Sequence, residues 1–151
     1  MKNFTKKHSL LILLLLILAP YIGISQTYST PVQMPTQQNA IIVNEIIEAT
    51  HYKTYFVDYC LNKINETAFK EKWNEQKTME ITETINFRNF RDAVYNLFAF
   101  HDEIELETLL KTYQKDKIYQ ITNIMTTNKA LNINLDIYAR DIVTGKYIMA
   151  K

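Results

Sequence analysis

Glycine is almost missing from this chain: Gly23 and Gly145 are its only two. Phosphate-cradling loops need several glycines, so that backbone N–H groups can close on the phosphate. Walker-type and Rossmann-type nucleotide sites are therefore excluded. Proline is nearly as scarce, and between Thr36 and Thr144 neither residue occurs. All-β chains punctuate their many turns with both, so this stretch predicts helices joined by short Asn, Asp and Thr turns. Cysteine is limited to Cys60. No intrachain disulfide can form, and the expectation is a small buried apolar side chain, with intermolecular pairing as the alternative. With three histidines and one cysteine, a zinc cluster of four Cys/His ligands would have to recruit carboxylates. Clustered positive charge is also lacking beyond the N-terminus, so there is no electrostatic footprint for nucleic acid.

What the chain does have begins at its N-terminus. Lys2, Lys6 and Lys7 precede LLILLLLILAPYIGIS, residues 10–25. The unbroken apolar run, Leu10 to Ala19, is about half of the roughly 20 residues a membrane span requires, and Pro20 ends it. A basic start, a short apolar core and small residues beyond it form the pattern of a secretory signal peptide. Gly23 and Ser25 fall at the −3 and −1 positions of a cut before Gln26. Residues 1–25 are therefore expected to be removed, with an uncleaved anchor as the alternative. The residue after the cut is Gln26 and not a cysteine that could carry a lipid, Cys60 lying far downstream. The full chain has 17 Lys+Arg against 16 Asp+Glu; three lysines and no acids lie in the leader, so the remainder carries a net charge of −2. The expected location is the periplasm or the exterior of a bacterium, with no membrane span after cleavage.

Residues 26–38, QTYSTPVQMPTQQ, have no helical period and are expected to be a flexible lead-in. Residues 39–151 are expected to form one helical domain. A first helix over 39–64 places Val43, Ile46, Ile47, Thr50, Thr54, Val57, Leu61 and Ile64 on one face, widened by Ile42, Ala49, Phe56 and Cys60. Asn65 is positioned to cap a second helix, ETAFKEKWNEQK, with Phe69 and Trp73 one turn apart. Asn65-Glu66-Thr67 also fits a glycosylation acceptor, which has no consequence in a bacterium. TMEITETIN, residues 78–86, alternates like a strand. Phe87, Phe90, Val94, Leu97 and Phe98 mark a helix ending near His101. Asp102 and Glu105 have capping-box spacing before a stripe of Leu106, Leu109, Leu110 and Tyr113 that ends near Lys115. Over 117–147, Ile121, Ile124, Leu131, Leu135, Tyr138 and Ile142 keep a helical beat, with a break at Thr126-Thr127-Asn128, an Asp136–Arg140 pair at i,i+4 and Gly145 as the stop. The same segment also alternates at Leu131, Ile133, Leu135 and Ile137. The fold expected is mostly α, a single-domain helical bundle of about four to six helices. The alternative is α+β with C-terminal antiparallel strands.

Chemistry-bearing patterns are few. Glu48 and His51 make one Glu-x-x-His, where di-iron bundles need two; no metal or cofactor is implied. Cys60 falls on the apolar side of its helix and His51 on the polar side, so they do not pair as base and nucleophile. His101 aligns with Phe90, Val94 and Leu97 and is expected to be a partly buried, hydrogen-bonded histidine at a helix joint. The run from Asp102 to Glu107 reads as the negative first turn of a helix. One feature points outward. Glu48, His51, Tyr52, Tyr55, Asp58 and Tyr59, with Asn62, share the polar face of the first helix. Tyrosine is enriched at interfaces, so this face is the expected docking surface for an envelope protein or glycan. The expected class is a non-catalytic binding module. One alternative is a small envelope hydrolase or metal-dependent enzyme using His51 or His101 with nearby carboxylates; another is a bundle that self-associates through the tyrosine face.

Overall fold

The computed structural model describes residues 33–148; the expected leader and residues 26–32 of the lead-in lie outside them. The described residues form a helical bundle with no strand among them. In chain order the helices are α1 (Gln37–Ala49), α2 (Tyr52–Glu71), α3 (Glu75–Thr82), a 3-10 turn (Phe87–Asn89), α4 (Arg91–Leu97), α5 (Glu103–Lys115), α6 (Ile118–Ile121), α7 (Ile124–Thr127) and α8 (Lys129–Val143). Two of these eight α-helices are single turns, which accounts for the excess over the expected four to six. Residues 78–86 complete α3 and a turn rather than a strand, and the last segment is helical on both sides of a break at Asn128.

Asparagine does the punctuating that glycine and proline do elsewhere. Asn74, Asn86, Asn123 and Asn128 each stand before a helix, their side chains accepting from backbone N–H groups of the first turn. Each such bond satisfies a donor that has no partner within the helix. Thr36 does the same for α1, and Asp102 with Glu105 closes a reciprocal capping box on α5. Asn65, by contrast, lies inside α2, which runs on to Glu71. There Lys72 turns left-handed at φ 55°, with Trp73 N–H donating to the Ala68 carbonyl at 2.9 Å. Gly145, at φ 79°, ends α8 with the same bond pattern, the turn that normally selects glycine.

The long first helix is the principal correction. It is broken at Thr50 and His51 into α1 and α2. Thr50 Oγ1 donates to the Ile46 carbonyl at 2.8 Å, and His51 adopts φ 51°, ψ 31°. The break resets the helical phase. In α1 the buried residues are Ile42, Val43, Ile46 and Ile47; in α2 they are Tyr52, Phe56, Cys60 and Ile64, while Thr54 and Val57 turn outward. A left-handed non-glycine residue costs about 1–2 kcal/mol. Burying the Tyr52 ring, which a continuous helix would turn outward, offsets it, since an aromatic side chain removes roughly 150–250 Å² from water.

Helix α1 packs chiefly on α5, and α2 on α8. Between them lies an aromatic knot. The Phe56 ring meets Phe87 edge-on at 5.3 Å, stacks on Phe90 at 5.4 Å and lies 5.4 Å from Tyr138. The Tyr138 hydroxyl donates to the Asn86 carbonyl and accepts from the Asn86 N–H, tying α8 to the turn before the 3-10 segment. The end of the lead-in is also held, because Asn96 Nδ2 donates to the Gln33 carbonyl at 3.0 Å.

Candidate functional site

The phase change at His51 disperses the expected docking face. Glu48 is exposed on α1 and pairs with Lys53 across the break. His51 is exposed but lies in the joint rather than on a helix, so Glu48 and His51 do not share a helical face as Glu-x-x-His would require. Tyr52 is fully buried and offers nothing to a partner. Its ring packs 5.6 Å from Tyr55 and 6.4 Å from Phe87. Tyr59 is half-buried and donates to Asp136 Oδ1 on α8 at 3.3 Å, making it an internal latch. Burial and the neighbouring Asp136 carboxylate raise the Tyr59 pKa. Tyr55, Asp58 and Asn62 still face solvent, with Glu48 exposed on α1 and His51 exposed in the joint.

Asp136 organises the α2–α8 seam. Besides Tyr59 it receives Arg140 Nε at 3.1 Å, the anticipated i,i+4 pair, and Lys63 Nζ at 3.8 Å. Cys60 is buried and unpaired, and burial pushes its thiol up to about 12. That is the reverse of the depressed pKa a nucleophilic thiolate needs. His101 sits at the α4–α5 joint, its ring edge-on to Phe98 at 5.6 Å and its carbonyl accepting from Asn39 Nδ2. The expected hydrogen bond to its ring is missing on one side: Nδ1 is buried and has no partner among the described residues. No group of three or more His, Cys, Asp or Glu that could hold a metal occurs among them either.

What the structure does assemble is a groove along α5. His101, Ile104, Glu105, Thr108, Leu109 and Ile124 line an open concavity of about 350 Å³. Leu106, Leu110 and Tyr113 turn inward as the periodicity requires, whereas Ile104 is 76% exposed on the opposite side. Phe100, just before the joint, is 80% exposed, and Ile118 and Ile121 of α6 are 68% and 80% exposed. Single exposed apolar residues are ordinary; Ile104 differs in lining a concavity, which makes that surface the candidate site. A signal for it does exist in the sequence: Ile104 interrupts the acidic run out of phase with the apolar stripe of its own helix. Comparison with protein-family models, with curated proteins and with solved structures finds no match.

Proposed function

We propose that this chain is an exported, non-catalytic interaction module that docks a polypeptide along the α5 groove. The observation that carries the reading is the outward Ile104, flanked by Leu109 and Ile124 in a concavity of about 350 Å³. Ile104, Leu109 and Ile124 form the apolar half of a lining completed by His101, Glu105 and Thr108, which suits a peptide carrying apolar side chains better than a glycan. The export half of the reading is supported by the basic start, short apolar core and small residues of positions 1–25. No helix among the described residues is long and apolar enough to cross a membrane.

The test is capture from envelope extract with three baits: the parent chain, Ile104→Lys, and Tyr55→Ser. Ile104→Lys lies at an exposed position and should leave stability within about 0.5 kcal/mol; Tyr55→Ser gives up ring contacts with Tyr52 and Tyr59, and circular dichroism checks that both variants keep the fold. A partner held by the parent and by Tyr55→Ser but lost by Ile104→Lys supports the groove. Loss with Tyr55→Ser alone would return the docking face to α2. Mass spectrometry of the exported chain should give Gln26 as its first residue, and a retained leader would overturn the export reading.

A further inference from the structure

The joint between α1 and α2 gathers three local costs. His51 is left-handed at φ 51°, ψ 31°, and its side chain makes no capping bond to α2. The first N–H groups of α2 therefore lack the side-chain acceptor that Asn74, Asp102 and Asn128 supply to other helices. Tyr52, the next residue, is fully buried with its hydroxyl unpartnered among the described residues. Thr50, by contrast, is already right-handed at φ −91°, ψ −1°. His51 is thus the one residue of the joint whose backbone has the wrong hand for a helix. Turning it right-handed would fuse α1 and α2 into a single helix over residues 37–71. The N–H groups of Tyr52 and Lys53 would then donate to the Glu48 and Ala49 carbonyls. No glycine or proline near the joint opposes such a helix, and its apolar face would run unbroken from Val43 to Ile64.

A single copy gains nothing by straightening. Ile42, Val43, Ile46 and Ile47 are buried on α1, which packs chiefly on α5, and a continuous helix would carry them off that surface into water. A second copy restores what is lost, because its α5 presents the same apolar surface. The bonds that hold α1 would be remade between chains: Asn39 Nδ2 to the His101 carbonyl at 2.9 Å, and the Tyr95 hydroxyl to Asn44 Oδ1 at 2.8 Å. We infer that the chain forms a domain-swapped dimer, in which His51 turns right-handed and each copy's α1 packs on the α5 of the other. The packing of α1 on α5 is the same in both states, so the hinge decides between them, and a short hinge under strain invites exchange. Straightening relieves the left-handed backbone at His51 and lets the Tyr52 hydroxyl reach water. Against this stand the lost burial of the Tyr52 ring, the exposed Glu48–Lys53 pair across the joint and the freedom lost when two chains associate. The closed monomer therefore holds in dilute solution, and the dimer grows with concentration.

The experiment refolds the exported chain from urea at low and at high protein concentration and measures its mass by light scattering. Spin labels at Glu45→Cys and Lys70→Cys, both exposed, report the separation of the two helices by electron double resonance. Labelled chain is diluted into unlabelled chain, so that only pairs within one chain are read; Cys60 is buried and stays unlabelled. The expected result is a monomer at low concentration and a dimer fraction at high concentration. Within the dimer the two labelled positions should stand about 38 Å apart along one continuous helix, farther than in the monomer. Two hinge variants should move the dimer fraction in opposite directions. His51→Ala, averse to the left-handed region and a strong helix former, should raise it several-fold; His51→Gly, at ease in that region and a poor helix former, should lower it several-fold. Circular dichroism checks the fold of each, and the parent's dimer and its separation test the proposal without either. A parent and a His51→Ala variant that both stay monomeric at high concentration would overturn it. A dimer that keeps the monomer's separation would reduce the association to side-by-side contact and overturn it too, as would hinge variants that shift the dimer the same way.

Discussion

Tyr52 carries its hydroxyl into a fully buried site where it has no hydrogen-bond partner among the described residues. An unpaired buried hydroxyl costs roughly 1–3 kcal/mol, while its ring contributes most of the side chain's packing. Tyr52→Phe should therefore be neutral or stabilising by up to about 1 kcal/mol, and Tyr52→Ala destabilising by about 3–5 kcal/mol. Urea unfolding would separate the two, and a clear loss of stability in Tyr52→Phe would mean that the hydroxyl has a partner after all. The buried acids supply a second prediction. Desolvation raises Cys60 from 9.0 to about 12 and moves Tyr52, Tyr59 and Tyr138 in the same direction. As pH rises, the unfolded chain releases these protons first. The stability they confer is whole below about pH 9 and drains away as pH climbs toward their folded values. The urea midpoint should hold between neutrality and about pH 9 and fall above it; a midpoint that rises over that range would contradict the sign.

Helix ends divide into those that announce themselves and those that do not. The Asp102–Glu105 capping box and the Gly145 stop are legible, because each depends on residue types selected for that geometry. The breaks at His51 and Lys72 are not, because the left-handed residue at each is one that rarely adopts φ values of 51° and 55°. Tertiary burial of Tyr52 overrides local preference at His51, which is why Tyr52, outward on a continuous helix, lies inside. Asn65 misled for the related reason that asparagine caps only where the helix actually ends. The same geometry gives opposite predictions at three sites. His51→Gly and Lys72→Gly should each stabilise by about 0.5–1 kcal/mol by relieving the left-handed strain. Gly145→Ala should destabilise by about 1 kcal/mol or more, since an added Cβ at φ 79° would also stand 3.3 Å from Ile148 Cδ1. Thermal unfolding of the three variants tests this, and a stabilising Gly145→Ala would refute it.

For the whole molecule, the helical class was legible in the long stretch free of glycine and proline, and the apolar stripes of α1, α5 and α8 named most of the core. The surface was less legible. Tyrosines look like interface residues in a sequence, yet Tyr52 is core and Tyr59 is bonded to Asp136. The exposed Ile104 sits unremarked inside an acidic run. Whether a polar-looking face is covered depends on which helices meet, which periodicity along one helix does not encode. The central claim is that contact with a partner passes through the α5 groove rather than the tyrosine face of α2. The direct measurement is site-specific photo-crosslinking in intact cells, with a benzophenone side chain placed at position 104 in one strain and at position 55 in another. The account predicts a discrete higher-mass adduct from position 104 and none from position 55. An adduct from position 55 with none from position 104 would contradict it.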